Sequence, residues 1–465
     1  MCSDRELRYK LKSKEFVELL DKGAKEFSIP DGVTRIGYGS FRGCSSMESL
    51  AIPAGVTRIE NETFRGCSSL KSVEIPASVT TIGDWAFRDC SSLESLALPA
   101  DVASIGEEAF KGCSSLKSLE IPNSVTSIGE GAFMGCSSLK SLEIPDSVTS
   151  IGSETFLRCS SLRSLEIPDS VISIGFAAFL FCFSLTMLKV SENNPEYRSI
   201  DGVLFTKDEK TLLVYPAGRS EEEYAIPAGV TSLGDYVFAD CSSLKSINIP
   251  DGVTEIGWGA FSGCSSLQSL AIPVSVTHIG GEAFQRCSSL TAIEVSESNP
   301  EYCSIDGALF TKDKRTMIAY PAGRSEEEYA IPAGVTSIGD DVFAGCSSLK
   351  SINIPNGVTE IGWGAFLGCS SLHSLEIPSS VTEIGWGAFW GCIALKSLDI
   401  PESVTLIGWE VFNGCSSLEL VKLPDSVTEI GDDAFRDCPK LTLRVPKGSY
   451  AERFAIEMGI KYETF

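Results

Sequence analysis

The residues with the most chemistry in them are the seventeen cysteines, and fifteen fall at one recurring offset. These are Cys44, Cys67, Cys90, Cys113, Cys136, Cys159, Cys182, Cys241, Cys264, Cys287, Cys346, Cys369, Cys392, Cys415 and Cys438. A zinc site needs several closely spaced ligands converging on one point, and no C-x-x-C occurs anywhere in the chain. Disulfides between neighbours in such a column would join parallel Cβ vectors, which suit the bond poorly. The column therefore reads as small apolar side chains filling a narrow corner of a core, reduced and without metal. Cys303 stands outside it, and its counterpart in a duplicated segment is Arg198, so no role common to both copies requires it. Cys2 is terminal and uninformative.

Other catalytic chemistry is as poorly supported. The only histidines, His278 and His373, lie far apart in the sequence, and neither sits in a nucleophile motif such as G-x-S-x-G. Serine pairs follow most of the column cysteines, as turn residues do, where their hydroxyls satisfy backbone groups. There is no P-loop or dinucleotide fingerprint. We expect no catalytic residue, no cofactor and no metal.

What positions these residues is a repeat. Ile29-Pro30 is followed by Ile/Leu-Pro at 52, 75, 98, 121, 144 and 167, each 23 residues on. Val190-Ser191 opens a 36-residue unit, steps of 23 resume at 226, 249 and 272, and Val295-Ser296 opens a second 36-residue unit. From Ile331 the short step returns through 354, 377, 400 and 423, and a last shortened step reaches Val445-Pro446. The consensus is I-P-x-S-V-T-x-I-G-x-x-A-F-x-G-C-S-S-L-x-S-L-x.

Leu70-x-x-Val73-x-Ile75 alternates as a strand does, and the proline after it marks where pairing stops. Val79-x-x-Ile82 turns back toward the core, with Gly83 as the expected positive-φ turn residue. Ala86-Phe87-x-x-Cys90 suits one turn of helix. One such unit cannot bury its apolar residues alone, whereas stacked coils can, with strands about 4.8 Å apart. The expected fold is an α/β solenoid with a long parallel inner sheet and short helical turns, and the phenylalanine column as core.

The expected organisation is an N-terminal helical cap over 1–28, the solenoid over 29–445, and a C-terminal cap over 446–465. Within the first cap, residues 4–22 read as a helix carrying Leu7, Leu11, Leu19 and Leu20. At the other end Ser449 is placed to cap a helix through Met458 that Gly459 ends. The long units at 190–225 and 295–330 are near copies at an offset of 105 and lack the usual Phe and Cys. Val203–Thr206 and Thr211–Tyr215 flank a polar turn and predict a hairpin. The repeats restart in phase after each long unit, so we expect neither to break the domain.

Three surface columns deserve comparison. On the inner face Glu74, Glu120, Glu143, Glu166, Glu294, Glu376 and Asp399 run beside Lys71, Lys117, Lys140, Arg163, Lys245, Lys350 and Lys396. They either pair along each strand or form a polar recognition face. Arg42, Arg65, Arg88 and Lys111 repeat at another offset, with acids nearby. The third column, directly after Ile-Gly, holds Tyr38, Phe176, Trp258, Trp363, Trp386 and Trp409, and Asp or Glu in other coils. A position that accepts Asp in one coil and Trp in another is exposed at least in part. Trp363, Trp386 and Trp409 occupy consecutive coils and, with Trp258, are the candidate protein-binding residues, because Trp anchors contribute disproportionately to interfaces. The competing reading is lateral packing of flat rings.

The L-x-x-L-x-I spacing and units such as Ile144-Pro-Asp-Ser-Val-Thr-Ser-Ile-Gly-Ser-Glu-Thr-Phe-Leu-Arg-Cys-Ser-Ser-Leu resemble the BspA-like (Treponema pallidum type) leucine-rich repeats. The resemblance covers about 29 to 445, and the tail from Val445-Pro-Lys-Gly-Ser-Tyr is similar to that family's closing segment. It implies a non-catalytic surface or secreted adhesion module that binds host or neighbouring-cell proteins. The first residues are charged and lead into no apolar h-region, so the sequence as given reads as cytoplasmic, and an intracellular recognition or scaffold module is the alternative. With 38 Lys+Arg against 62 Asp+Glu, the net charge of −24 argues against nucleic acid and against an anionic membrane surface. No stretch approaches the roughly 20 apolar residues of a spanning helix. The expected partner is a protein.

Overall fold

The computed structural model describes residues 9–12, 14–19, 22–30 and 32–465. The chain divides into two compact units, Met1–Arg219 with Gly234–Cys241, and Ser220–Leu233 with Ser242–Phe465. Each is a β-solenoid whose coils are the sequence repeats.

In the first unit the T-x-I segment of each coil forms a two-residue strand. Arg58–Ile59, Thr81–Ile82, Ser104–Ile105, Ser127–Ile128, Ser150–Ile151 and Ser173–Ile174 make one six-stranded parallel sheet, in register from one repeat to the next. The inner segments pair more briefly, as in Ser49–Ala51 with Ser72–Glu74, Ser95–Ala97 with Ser118–Glu120, and Ser164–Ile167 with Met187–Val190. The long inner sheet expected from sequence is therefore a set of short patches. Prolines close behind these strands, Pro53 and Pro76 among them, offer no N–H to extend them.

The expected helical turns are absent: among the described residues the one helix is Tyr450–Met458. The outer segment instead carries left-handed residues at two positions four apart, such as Trp85 and Asp89 (φ 55° and 60°) or Gly131 and Gly135 (58° and 73°). Two such residues per coil cannot be accommodated in a right-handed helix. Gly83 is not among the positive-φ residues. Glycine is needed there for close approach, because a Cβ would lie 2.7 Å from the Asn61 backbone nitrogen of the preceding coil. The N-terminal helix is also corrected. Tyr9–Lys12 and Glu15–Leu19 form an antiparallel pair, and the second strand adds in parallel to Arg35–Ile36. Phe16 and Leu19 close this end by burial, three residues apart because the pairing slips by one residue between them; residues 4–8, 13, 20 and 21, Leu7 and Leu20 among them, lie outside the described residues. The C-terminal helix is as expected, with the Ser449 hydroxyl accepting from the Glu452 N–H and Gly459 left-handed at φ 66°.

Both cores are built on the phenylalanine column. Phe41, Phe64, Phe87, Phe110, Phe133 and Phe156 are fully buried and stack with centroids 5.1–5.8 Å apart. Phe343, Phe366, Phe389 and Phe412 repeat this in the second unit.

The hairpins form as expected, each with a third strand: Tyr197–Ile200, Val203–Thr206 and Thr211–Val214, then Tyr302–Ile305, Ala308–Thr311 and Thr316–Ala319. Within the second unit the last of these strands continues into Ser337–Ile338, Glu360–Ile361 and Glu383–Ile384, so the long unit at 295–330 is part of the stack it joins.

Candidate functional site

The tryptophan column is a physical stripe. Trp363 and Trp386 stack at 5.1 Å with planes 2° apart, and Trp386 and Trp409 at 4.9 Å and 17°. The repeat places them, since each directly follows an Ile-Gly pair; Glu360–Ile361 pairs in register with Glu383–Ile384, and Leu406–Ile407 pairs onward with Glu429–Ile430. Each ring also needs the next coil's glycine: a Cβ on Gly385 would lie 2.7 Å from Trp363 Cδ1, and one on Gly408 2.6 Å from Trp386 Cδ1. The rings thus lie flat on neighbouring coils and yet remain 56, 47 and 53% exposed. The exposure and the lateral packing expected from sequence thus occur together: stacking covers ring faces, and about half of each side chain stays exposed.

Trp258 does not join them. It lies over Gly281, and the units starting at 272, 295 and 331 separate its coil from that of Trp363. The sequence reading missed two neighbours in the stripe's own coils, Trp390 and Ile393, which are 44 and 49% exposed. A signal existed for Trp390. It occupies the offset held by Arg42, Arg65, Arg88 and Lys111, where an aromatic residue among cations stands out.

Those cations are neutralised. Arg42 and Arg65 both reach the buried Glu62, at 2.7 and 3.0 Å, and Arg88 and Lys111 share Glu108. Burial pushes the Glu62 carboxyl up, but the Tyr38 hydroxyl and the two guanidinium groups outweigh it and hold it below the ordinary value. On the inner face the lysines pair between coils rather than along a strand: Lys71 with Glu48 at 2.8 Å, Lys117 with Glu94 at 2.5 Å, and Lys350 with Glu327 at 2.6 Å. The acid is the same column's residue one unit earlier. These pairs are exposed and screened by solvent, so they add little to stability. His278 lies in the strand His278–Ile279 and His373 beside the inner strand Ser374–Leu375, so the two belong to different ladders.

The cysteine column does more than fill space. Most of these thiols donate to the carbonyl of the phenylalanine 26 residues earlier, as in Cys90 to Phe64 and Cys113 to Phe87, both 3.1 Å, while Cys241 and Cys346 meet Tyr215 and Tyr320 there at 3.6 and 3.9 Å. The column cysteines of the described chain are free thiols. Burial pushes Cys182 and Cys287 up to about 12, so neither ionises near neutrality. We expect an alkylating reagent at neutral pH to leave the column almost untouched in the folded chain and to count close to 17 thiols after denaturation. Stoichiometric zinc or a set of ladder disulfides would overturn this account.

A family profile described as a BspA type leucine rich repeat region (6 copies) matches residues 20–116, 103–207, 217–326 and 319–442. No curated protein matches. Among solved structures, a leucine rich cell surface protein of Faecalibacterium prausnitzii is 32% identical, over 88% of this chain and 90% of that one, with a TM-score of 0.48. A leucine-rich repeat protein of Eubacterium ventriosum is 25% identical over 84% and 89%, with a TM-score of 0.49. One from Bacteroides ovatus is 28% identical over 90% and 92%, with a TM-score of 0.38. The profile spans most of the chain, with the consensus offsets that build each coil. The chain belongs to the BspA-type leucine-rich repeat family.

Proposed function

We propose that the chain is a non-catalytic protein-binding module, that it serves adhesion to a surface or matrix protein, and that Trp363, Trp386 and Trp409 form its contact stripe. The observation that carries this is the in-register stack of three half-exposed indoles. The lateral contacts that hold the rings cost the side chains their rotamer freedom at folding, so little remains to be lost on binding. Asp432 and Asp433 lie in the coil after Trp409, and Glu410 directly follows it, giving the apolar ridge a polar rim. Similarity to a bacterial cell surface protein supports the adhesion reading.

The test uses the full chain against immobilised matrix proteins, with each tryptophan replaced singly by serine. We expect at least one variant to weaken binding about tenfold or more, the scale of an interface anchor, with an unchanged unfolding midpoint. Retained binding with lost stability would show that the rings serve lateral packing alone. Trp258→Ser is predicted to leave this binding unchanged.

A further inference from the structure

An ordinary coil hands backbone hydrogen bonds to the next along its outer segment. Gly131 donates to the Ser153 carbonyl at 2.8 Å and Phe133 to Thr155 at 3.0 Å; Glu154 donates to Phe176 and Phe156 to Ala178, both at 2.9 Å. In the coil starting at Ile167 the equivalent donors are the N–H groups of Ala177 and Phe179. Neither has a protein acceptor within hydrogen-bond reach.

The long unit that follows is the reason. Its Leu212 takes the place of the T-x-I isoleucine, because its carbonyl accepts from Gly234 as Ile105 accepts from Gly129. Tyr215 takes the phenylalanine place and donates to the Val237 carbonyl. Between them stand two residues, Leu213 and Val214, where an ordinary coil has four, as in Gly175-Phe176-Ala177-Ala178. A rung of the outer ladder is too short to reach across, and a cavity of about 270 Å³ is left between Gly175–Phe179 and Gly234–Tyr236.

The lining defines what fits. Leu180, Leu185, Leu204 and Leu213 supply apolar walls. Tyr197 accepts from the Ile174 N–H at 3.0 Å and keeps its own proton to donate. Phe176, 53% exposed, stands at the rim against Tyr236. The gap is a property of the long unit, since the second copy repeats it. There Glu282 and Phe284 lack acceptors, Asp340 and Ala344 lack donors to their carbonyls, and a cavity of about 150 Å³ lies among them.

We propose that the gap in the first unit is a binding site for a short, extended, apolar peptide segment. The segment's carbonyls take the Ala177 and Phe179 N–H groups, and one aliphatic or aromatic side chain fills the apolar part. Two backbone donors at strand spacing suit the carbonyls of a neutral amide, whereas a carboxylate would meet a chain of net charge −24. The size agrees, since an apolar cavity of about 150 Å³ already holds a benzene ring. This is strand addition to a ladder with a missing rung. It does not depend on the tryptophan stripe.

The probe is N-acetyl-leucyl-leucine N-methylamide, titrated into the full chain with amide hydrogen exchange read by residue. Before addition, Ala177 and Phe179 should exchange faster than Gly131 and Phe133; saturation should slow both by about tenfold or more. Leu213→Glu, which puts a charge into the apolar wall, should weaken binding at least about tenfold. The wild-type exchange result stands whether or not that variant folds. Absence of slowing at these two amides at millimolar probe would overturn the proposal, as would undiminished binding by a folded Leu213→Glu chain. Equal slowing by hexanoate would also overturn it, in favour of a fatty-acid site.

Discussion

Asn194→Leu is expected to destabilise the first unit by at least about 3 kcal/mol, although the substitution trades a polar side chain for an apolar one of similar size. Asn194 is fully buried and makes every bond its amide can make within the fold. Its Nδ2 donates to the carbonyls of Pro168 and Val171 at 2.7 and 2.9 Å, in the coil before it. Its Oδ1 accepts from the N–H groups of Glu196 and Tyr197 at 3.0 and 2.8 Å, where the chain leaves the solenoid path to begin the hairpin. Leucine would strand these backbone groups away from water, at about 1–3 kcal/mol each for those that find no other partner. Asn299 repeats the arrangement with Pro273, Val276, Glu301 and Tyr302, so Asn299→Leu should behave alike in the second unit. Urea unfolding followed by hydrogen exchange of each unit would measure both. Exposed Asn356→Leu is the control, expected within about 0.5 kcal/mol of wild type. A loss under about 1 kcal/mol at Asn194 would mean that water replaces the amide.

That asparagine shows where sequence reading stopped. N-P-E-Y recurs in both long units and marked them as copies, but a buried polar hub looks like any loop asparagine until its partners are placed. The repeat itself was legible because burial at a fixed period leaves its pattern in residue type: phenylalanine, cysteine and isoleucine return wherever the wall of the core returns. The outer turn was misread as helical because A-F-x-x-C has helical spacing. What decides against a helix is backbone conformation, and left-handed positions filled by Trp85, Glu108 or Tyr236 carry no glycine to announce them. The same blindness affects Gly83, whose small size is required by a neighbouring coil rather than by its own φ. At the N-terminus, leucines among lysines fit a helix or a strand pair equally well over so short a span, and pairing to Arg35–Ile36 selected the strands. The tryptophan stripe was visible as spacing; that its rings would be at once stacked and half exposed was not, because that depends on how far a ring overhangs the next glycine.

Phe110→Ala is expected to cost about 3–5 kcal/mol, the range for a buried aromatic truncated in a core that cannot collapse around the hole. Collapse is resisted here by geometry. Phe110 stacks on Phe87 at 5.4 Å and on Phe133 at 5.6 Å, with planes 7° and 5° apart, while the backbone around it is held to the next coil through its N–H to the Ala132 carbonyl. Its own carbonyl accepts the Cys136 thiol at 3.2 Å. Strand spacing fixes the coil repeat, so neighbouring rings cannot slide inward without breaking those bonds. Because coils depend chiefly on their neighbours, the loss should spread along the stack and fall off with distance. Hydrogen exchange should therefore accelerate most in the coils of Phe87 and Phe133 and least near the N-terminal hairpin. Phe435, 8% exposed and at the last ordinary coil, is bounded on one side by the terminal helix through Phe454 at 6.3 Å. Phe435→Ala should cost less than Phe110→Ala, since that helix can settle where a coil cannot. Equal costs at the two positions would show that ring burial alone sets the energy and that the rigid repeat contributes nothing; a larger cost at Phe435 would place the weakest point of the fold in its middle rather than at its end.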